Sequence, residues 1–426
     1  MNPVRSFEKF SKSTTVYSLI KNMLASNGVK KPTILVVIPF GFNDRLTMFP
    51  EFILSRLLAR NGWRVIGITR REKNEPGASE SSGVHIFRYR SLLSGAWRTI
   101  SLILKEHPSI VHVHMLRNNR VGIVAAMLAK LLHIPLAFSE AGLLHDHYLV
   151  DDRDDPLGKP IVYGNVPRRF SLSAWRSYFF HWPLMHADAA VFYSKHNVPI
   201  AEHLGIKNVR YIPLITDGER WQSVESGGSI TERLPDEPYG LFVGQMKLRK
   251  GWDILLRALP RIAPETLSKV VFVSSSATSE PEEFTYLVNS LGIRDRVVFL
   301  GRVASNTDLR VVFERSSLVV VPSLYEGFGL VALEAFEMGK PVVASGVEAL
   351  TDFLMHNENA YLVPPKDPAA LADAITHVST DRKLRDHLVE GGRATLERMR
   401  GEELKTQWLH FYTTLSNRNE TSDFTK

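Results

Sequence analysis

Apolar residues fall along the chain in short unbroken runs separated by longer amphipathic stretches. Thr33-Ile34-Leu35-Val36-Val37-Ile38 opens the pattern; Val65–Ile68, His85–Tyr89, Ile110–His114, Leu136–Ser139, Ala189–Tyr193 and Val209–Ile212 continue it. Runs of this length, apolar at consecutive positions, predict strands covered on both faces, as in parallel sheets. The intervening segments predict helices, such as Pro50–Arg60 closed by Asn61-Gly62. Strands alternating with helices predict a doubly wound α/β sheet. The pattern lapses over 218–238, where Ser226-Gly227-Gly228-Ser229 and Pro235-Asp236-Glu237-Pro238 show no periodicity, and restarts with Leu241-Phe242-Val243. A helix over Trp252–Ile262, strands at Val270–Val273 and Val297–Leu300, and helices over Asp367–Val378 and Leu404–Leu415 follow.

The chain therefore divides into an extension (1–31), a first α/β domain (32–217), a linker (218–238), a second α/β domain (239–400), and a C-terminal helix and tail (401–426) expected to pack back on the first domain. Two open sheets joined by a linker leave a cleft, and ligands of such sheets bind at the carboxyl ends of the strands.

One stretch of the second domain combines this pattern with chemistry. Leu318-Val319-Val320-Val321 predicts a strand, Glu326-Gly327-Phe328-Gly329 a glycine-bearing turn, Leu330–Phe336 a helix, and Val342-Val343-Ala344 the next strand. The glycines let backbone approach a ligand closely. The helix that follows presents unpaired N–H groups suited to an anionic or polyhydroxylated ligand. Glu334 stands out because nearly all its helical neighbours are apolar, so its carboxylate is expected to be buried and to need a partner. Either Glu326 and Glu334 flank a ligand, or Glu334 is a structural acid satisfied by backbone or by a lysine such as Lys340.

A second constellation follows the first strand of that domain. Gly244-Gln245-Met246-Lys247-Leu248-Arg249-Lys250-Gly251 carries three cations in four residues at a predicted helix N-terminus. Fixed cations with backbone donors at the carboxyl end of a strand suit a diphosphate. The same loop could also be a solvated basic turn.

Composition narrows the classes. There is no cysteine, which excludes disulfides, thiolate metal sites and a cysteine nucleophile. The formal net charge is +7, but residues 1–31 alone carry six Lys/Arg against Glu8. The basic balance is therefore a local extension and a weak argument for nucleic acid, none of which is expected as a partner. Within that extension Val16, Leu19, Ile20 and Met23 share one helical face, which could lie on an anionic membrane or on the protein's own core. No signal peptide is visible, and the longest apolar stretch, Val121 to Phe138, is broken by Lys130, His133 and Pro135. The expected location is cytoplasmic, with contact at the inner face of a membrane.

Taken together, Gly244 with Lys250-Gly251, Glu326-Gly327-Phe328-Gly329-Leu330 with Glu334, Gly339-Lys340-Pro341-Val342-Val343-Ala344, and Leu362-Val363-Pro364-Pro365 with Asp367 resemble the nucleotide-sugar domain of group 1 glycosyltransferases (family four). Ile110-Val111-His112-Val113-His114, His186-Ala187-Asp188-Ala189, Tyr193-Ser194 and Ile212-Pro213 resemble the family's first domain. The resemblance implies the GT-B fold, two Rossmann-like doubly wound parallel-sheet domains facing a cleft. It implies a retaining, metal-independent hexosyltransferase that uses a nucleotide-diphosphate sugar as donor substrate and needs no cofactor. On this resemblance, Glu326 binds donor-sugar hydroxyls, helped by backbone N–H groups of Gly327, Phe328, Gly329 and Leu330. Glu334 binds the ribose hydroxyls, and Lys250 holds the diphosphate beside Gly244, Gln245, Lys247 and Arg249. Glu326 and Lys250 are the residues expected to act in catalysis.

Departures from the family fall at both sites. Gln245 stands where the family has an arginine, so Lys247 or Arg249 is expected to substitute. After the Leu136–Ser139 strand the family carries His-Gly; here the run is Glu140-Ala141-Gly142, and Leu214-Ile215 replaces Asn-Gly before Asp217. Gly41, Glu140, His145 and His147 are the candidates for the acceptor side. Asp152-Arg153-Asp154 fits a three-letter metal pattern too short to be specific, and no metal is expected. The basic–aromatic segment from Arg168 to Trp182 either holds a lipid-linked acceptor at a membrane interface or fills the first domain's core. The expected acceptor is a glycan or lipid-linked glycan. Alternatives are a GT-B epimerase or phosphorylase, or a nucleic-acid-binding protein.

Overall fold

A computed structural model describes residues 31–39, 50–72, 75–115, 119–140, 142, 144–145, 148–149, 161–162, 179, 181–203, 205–216, 218, 221, 229–274, 277–303 and 305–422. The stripe at Val16–Met23, Gly41, Ala141, His147, the Asp152–Asp154 pattern and Arg168 to Tyr178 lie outside the described residues.

The first sheet is built from β1 (Thr33–Val37), β2 (Arg64–Arg70), β3 (Ala78–Ser81), β4 (Val84–Tyr89), β5 (Ile110–His114), β6 (Leu136–Glu140), β10 (Ala189–Phe192) and β11 (Val209–Tyr211). A small antiparallel sheet, β7 (Leu144–His145), β8 (Tyr148–Leu149) and β9 (Ile161–Val162), lies between β6 and β10 in sequence. The order in the large sheet is β11-β10-β6-β5-β1-β2-β4-β3, parallel except for β3. Helices α1 (Pro50–Arg60), α2 (Leu92–Glu106), α3 (Arg120–Leu131) and α4 (Asn197–His203) connect the strands. β3 has no counterpart in the apolar pattern: Ala78-Ser79-Glu80-Ser81 is a polar edge strand, which pairs through its backbone on one side only.

The second sheet contains β12 (Tyr239–Gly244), β13 (Val270–Ser274), β14 (Val297–Gly301), β15 (Ser316–Val321), β16 (Val342–Ser345) and β17 (Tyr361–Val363), all parallel, in the order β14-β13-β12-β15-β16-β17. Its helices are α5 (Trp252–Ala258), α6 (Glu282–Ser290), α7 (Asn306–Arg315), α8 (Leu330–Glu337), α9 (Pro368–Thr380) and α10 (Arg382–Arg400). A last helix, α11 (Glu402–Ser422), follows. In both sheets the chain winds outward from the first strand, then crosses back to continue on its other side. The crossings put β1 beside β5 and β12 beside β15 at the switch points.

The linker region is partly built into the second domain. Ser229–Arg233 forms a 3-10 helix whose Ile230, like the following Leu234, is buried. The Ile230 N–H donates to Asp308 on α7 (3.2 Å). Arg233 donating to the Leu300 carbonyl and Arg315 to the Pro235 carbonyl (2.8 Å each) tie the same stretch to the domain. The C-terminal helix crosses to the first sheet: Trp408 is fully buried and donates to the Pro213 carbonyl (3.1 Å), and Tyr412 reaches His112 (2.9 Å). Ile34, Val36, Trp408, Leu409 and second-domain residues such as Leu333 belong to one continuous core.

Under the carboxyl end of the first sheet lies a buried polar cluster. His112 and His114 are two apart on β5, so both rings point to one face and stack at 3.8 Å. Glu51 Oε1 lies 3.6 Å from His114 Nδ1, and Ser139 Oγ bonds the same nitrogen at 2.5 Å. Burial pushes the Glu51 carboxyl up to about 7 against an opposing backbone hydrogen bond, and the nearby Glu140 adds to the rise. Burial holds His112 down at about 3; burial and the neighbouring His112 hold His114 well below its ordinary value. The unfolded Glu51 ionises near pH 4.5 and the folded one near 7. Folding therefore becomes costlier as pH rises through that window and levels off above it. Glu51→Gln removes this cost. Urea unfolding of the two proteins is expected to show no difference near pH 4.5 and a gain for the variant growing to about 3 kcal/mol by pH 8. A gain independent of pH would mean that the folded carboxyl is already ionised.

Candidate active site

The loops after β12 and β15 diverge at the second sheet's switch point, and each carries one constellation singled out from sequence. They interlock through backbone. Leu324 N–H donates to the Arg249 carbonyl (2.8 Å). Gly251 sits at φ +67°, and a Cβ there would fall 1.8 Å from the Pro322 carbonyl oxygen, so only glycine lets the loops meet. The cations stand just ahead of the helix N-terminus: Leu248–Lys250 is a single 3-10 turn that Gly251 closes, and α5 begins at Trp252.

That contact brings Lys250 and Glu326 together. Lys250 Nζ donates to Glu326 Oε1, which also accepts from Ser323 Oγ (3.0 Å). Glu326 is 6% exposed. Burial alone would raise its carboxyl, but the charges of Lys250 and Arg249 and the hydrogen bonds from Lys250 and Ser323 outweigh it and hold the group below the ordinary range. Gln245 accepts from Arg249 Nη2 through Oε1 (3.3 Å), and the Arg249 guanidinium lies 5.7 Å from the Tyr325 ring centroid. The residue that replaces the family's arginine thus orients a neighbouring one. Lys247 and Gly244 complete the loop, half-buried and buried respectively.

The glycine turn leads directly into α8. Gly329 adopts φ +94°, and a Cβ would come 2.2 Å from Leu350. Phe328 stacks on Phe353 at 5.3 Å, Gly327 and Leu330 are half-buried, and Glu334, the fifth residue of α8, is 8% exposed. Lys340 Nζ donates to the Glu314 carbonyl (2.6 Å). One turn on, Glu337 accepts from Arg400 Nη2 (2.5 Å) and Trp221 Nε1 (2.6 Å), tying α8 to both segments that cross between the domains.

Across the cleft, Glu140 ends β6. It is buried, and its Oε1 accepts the Gly142 N–H (3.0 Å). Asn197 holds the Gly142 carbonyl (2.9 Å). His145 is placed only as backbone in β7, while Gly41 and His147 lie outside the described residues. A contact that sequence reasoning missed joins the two sides: Asp352 Oδ2 accepts the Lys195 N–H at 3.0 Å. Asp352 precedes the Phe353 that stacks on the glycine turn, and Lys195 precedes Asn197 by two residues.

Residues 230–395 match the family model of glycosyl transferases group 1. This segment is a group 1 glycosyltransferase domain. A glycosyltransferase of Methanocaldococcus jannaschii, itself uncharacterized, is 38% identical over 159 residues, 37% of this chain and 40% of that one. A D-inositol 3-phosphate glycosyltransferase of Xylanimonas cellulosilytica is 34% identical over 193 residues, 45% of this chain and 46% of the relative. The chain thus aligns with less than half the length of these curated relatives. The GT-B fold extends further than the sequence match. Sucrose-phosphate synthase of Thermosynechococcus elongatus superposes with a TM-score of 0.69 over 90% of this chain and 99% of its own, at 23% identity. Anabaena HepE, solved with UDP-glucose, gives 0.62 over 90% and 99%, at 17% identity. Both transferase constellations, Gly244–Gly251 and Glu326–Glu334, lie inside the matched segment.

Two substitutions separate the roles in this domain. Glu334→Ala is expected to weaken sugar-nucleotide binding by about one to two orders of magnitude, the worth of hydrogen bonds to a carboxylate, in calorimetric titration with the circular dichroism spectrum retained. Unchanged affinity would make Glu334 a structural acid. Asp352→Ala is expected to lower kcat by roughly three- to tenfold, one inter-domain hydrogen bond, while donor affinity holds. Asp352→Asn keeps an accepting oxygen for the Lys195 N–H and should recover most of the rate.

Proposed function

We propose that the chain is a retaining glycosyltransferase that moves a hexose from a nucleotide-diphosphate sugar to a hydroxyl of a glycan or lipid-linked glycan, working at the inner face of a membrane. The observation that carries this reading is the buried Lys250–Glu326 pair at the second sheet's switch point, inside the segment that matches the group 1 model. HepE, which shares the fold, binds UDP-glucose, and that supports a sugar nucleotide as donor here.

In this reading the diphosphate lies against Lys250, Lys247 and Arg249, where fixed cations stabilise charge as the sugar departs. Before the donor arrives, Glu326 holds Lys250 in place. When the diphosphate takes over part of the lysine, Glu326 turns its free acceptor capacity to sugar hydroxyls. Glu334 takes the ribose diol, and the Gly327–Leu330 backbone supplies N–H donors at the start of α8. The acceptor enters over the ends of β1, β5 and β6, near Glu140. Closure through Asp352 and Lys195 excludes water and aligns the acceptor hydroxyl with the anomeric carbon. The departing diphosphate, on the same face as the acceptor, takes the hydroxyl proton, so configuration is retained.

Thermal denaturation against UDP-, GDP-, ADP- and dTDP-sugars at millimolar concentration tests the donor. At a hundredfold excess over Kd a stabilisation of about 2.7 kcal/mol is expected from one of them. No shift with any of the four would remove the donor assignment.

A further inference from the structure

α2 and α3 pack side by side on the outer face of the first sheet, away from α11. Their contact is close: a Cβ on Gly95 would lie 2.7 Å from Val121 Cγ2. Their outward faces carry large apolar side chains in the open. Leu93 (83% exposed), Trp97 (75%) and Leu104 (52%) fall on one side of α2; Met127 (44%) and Leu131 (72%) lie one turn apart on α3, with Leu132 (41%) just beyond. Two adjacent apolar stripes of this size are not explained by scattered surface residues.

The charge around them identifies the partner. Arg90, Lys105 and Arg120 are exposed at the ends of the two helices. The sole carboxylate on α2 and α3 is Glu106, and Arg64 holds it at 3.1 Å. A second copy docking by a two-fold would set these cations against their own images. An anionic bilayer surface satisfies both features, taking Leu and Trp side chains at the headgroup boundary and the cations at the phosphates. The extension that carries six cations joins the fold at this same region, because the Thr33 N–H is bonded by Ser109 Oγ (3.4 Å), three residues after α2 ends. The α2 N-terminus follows β4 at the carboxyl edge of the sheet, so the surface reaches the cleft rim.

We infer that the outward face of α2 and α3 is a membrane-docking surface for anionic phospholipid. This deepens the proposed location at a membrane face and rests on it, but requires nothing of the transfer reaction. The test is flotation of the full-length protein with vesicles of phosphatidylcholine alone or with phosphatidylglycerol, for the wild type, Leu93→Glu/Trp97→Glu and Lys105→Glu/Arg120→Glu. Expected are flotation with the anionic vesicles only, loss at high salt, and at least about tenfold weaker binding for each pair of substitutions. Quenching of tryptophan emission by brominated phosphatidylglycerol should fall in the Trp97 variant. Flotation unchanged in both variants, no flotation of the wild type, or a wild-type dimer that Leu93→Glu/Trp97→Glu dissociates would each overturn the assignment. The donor thermal shift, measured on the same variants, is expected to be unaltered, so failure of membrane docking and failure of the donor assignment are separately visible.

Discussion

The ion pair between Lys250 and Glu326 holds the transferase domain's two working loops in one geometry. Burial alone would raise the Glu326 carboxyl; Lys250 and Arg249 beside it and Ser323 on the same oxygen hold it ionised. The pair exists because β12 and β15 are neighbours at a switch point and because Gly251 lets the Pro322 carbonyl pass where a side chain would block it. In the proposed reaction a diphosphate would meet a cation already oriented, which lowers the cost of reorganisation.

From that pair the structure extends along α8. Its first residue follows the glycine turn, Glu334 lies buried on its second turn, and Glu337 at its last receives Arg400 and Trp221 from the two inter-domain segments. The same short helix thus touches the glycine turn and both inter-domain segments. The loop beyond β16 adds a second route: Leu350 packs against Gly329, Phe353 stacks on Phe328, and Asp352 between them binds the first domain at Lys195. Rearrangement of the glycine turn on donor binding would reach the domain interface through rigid, packed groups.

The first domain is organised by burial of another kind. Its sheet is closed on one face by α11, a helix contributed from the far end of the chain, and the polar groups of β5 and β6 are satisfied there only in part. Tyr412 bonds His112, and Ser139 bonds His114, whereas Glu51 Oε2 and His112 Nε2 find no partner among the described residues. Burial keeps both histidines neutral and raises the Glu51 carboxyl to about 7. The cluster lies next to Glu140 at the carboxyl end of β6.

Strands covered on both faces must be apolar at successive positions, which is a local property. Val270–Ser274 and Ile110–His114 were therefore readable within a residue at their ends, and with them the two-sheet architecture. The glutamates and glycines after β15 and the cations after β12 were readable too, because a strand end followed by glycine and charge keeps its meaning wherever the strand lies. Polar β3 was not, since a lone edge strand needs only backbone pairing and leaves no apolar signature. Nor were the pairings made across great separation. Tyr412 and His112 are 300 residues apart, Asp352 and Lys195 are 157 apart, and Lys250 and Glu326 are 76 apart. Sequence placed Lys250 and Glu326 just after strand ends, His112 in a strand and Tyr412 on a helix, and singled out neither Asp352 nor Lys195. Which of them meet, and which charges are buried together, depended on the order of strands in the sheets and on the docking of α11, set by the packing of distant surfaces against one another.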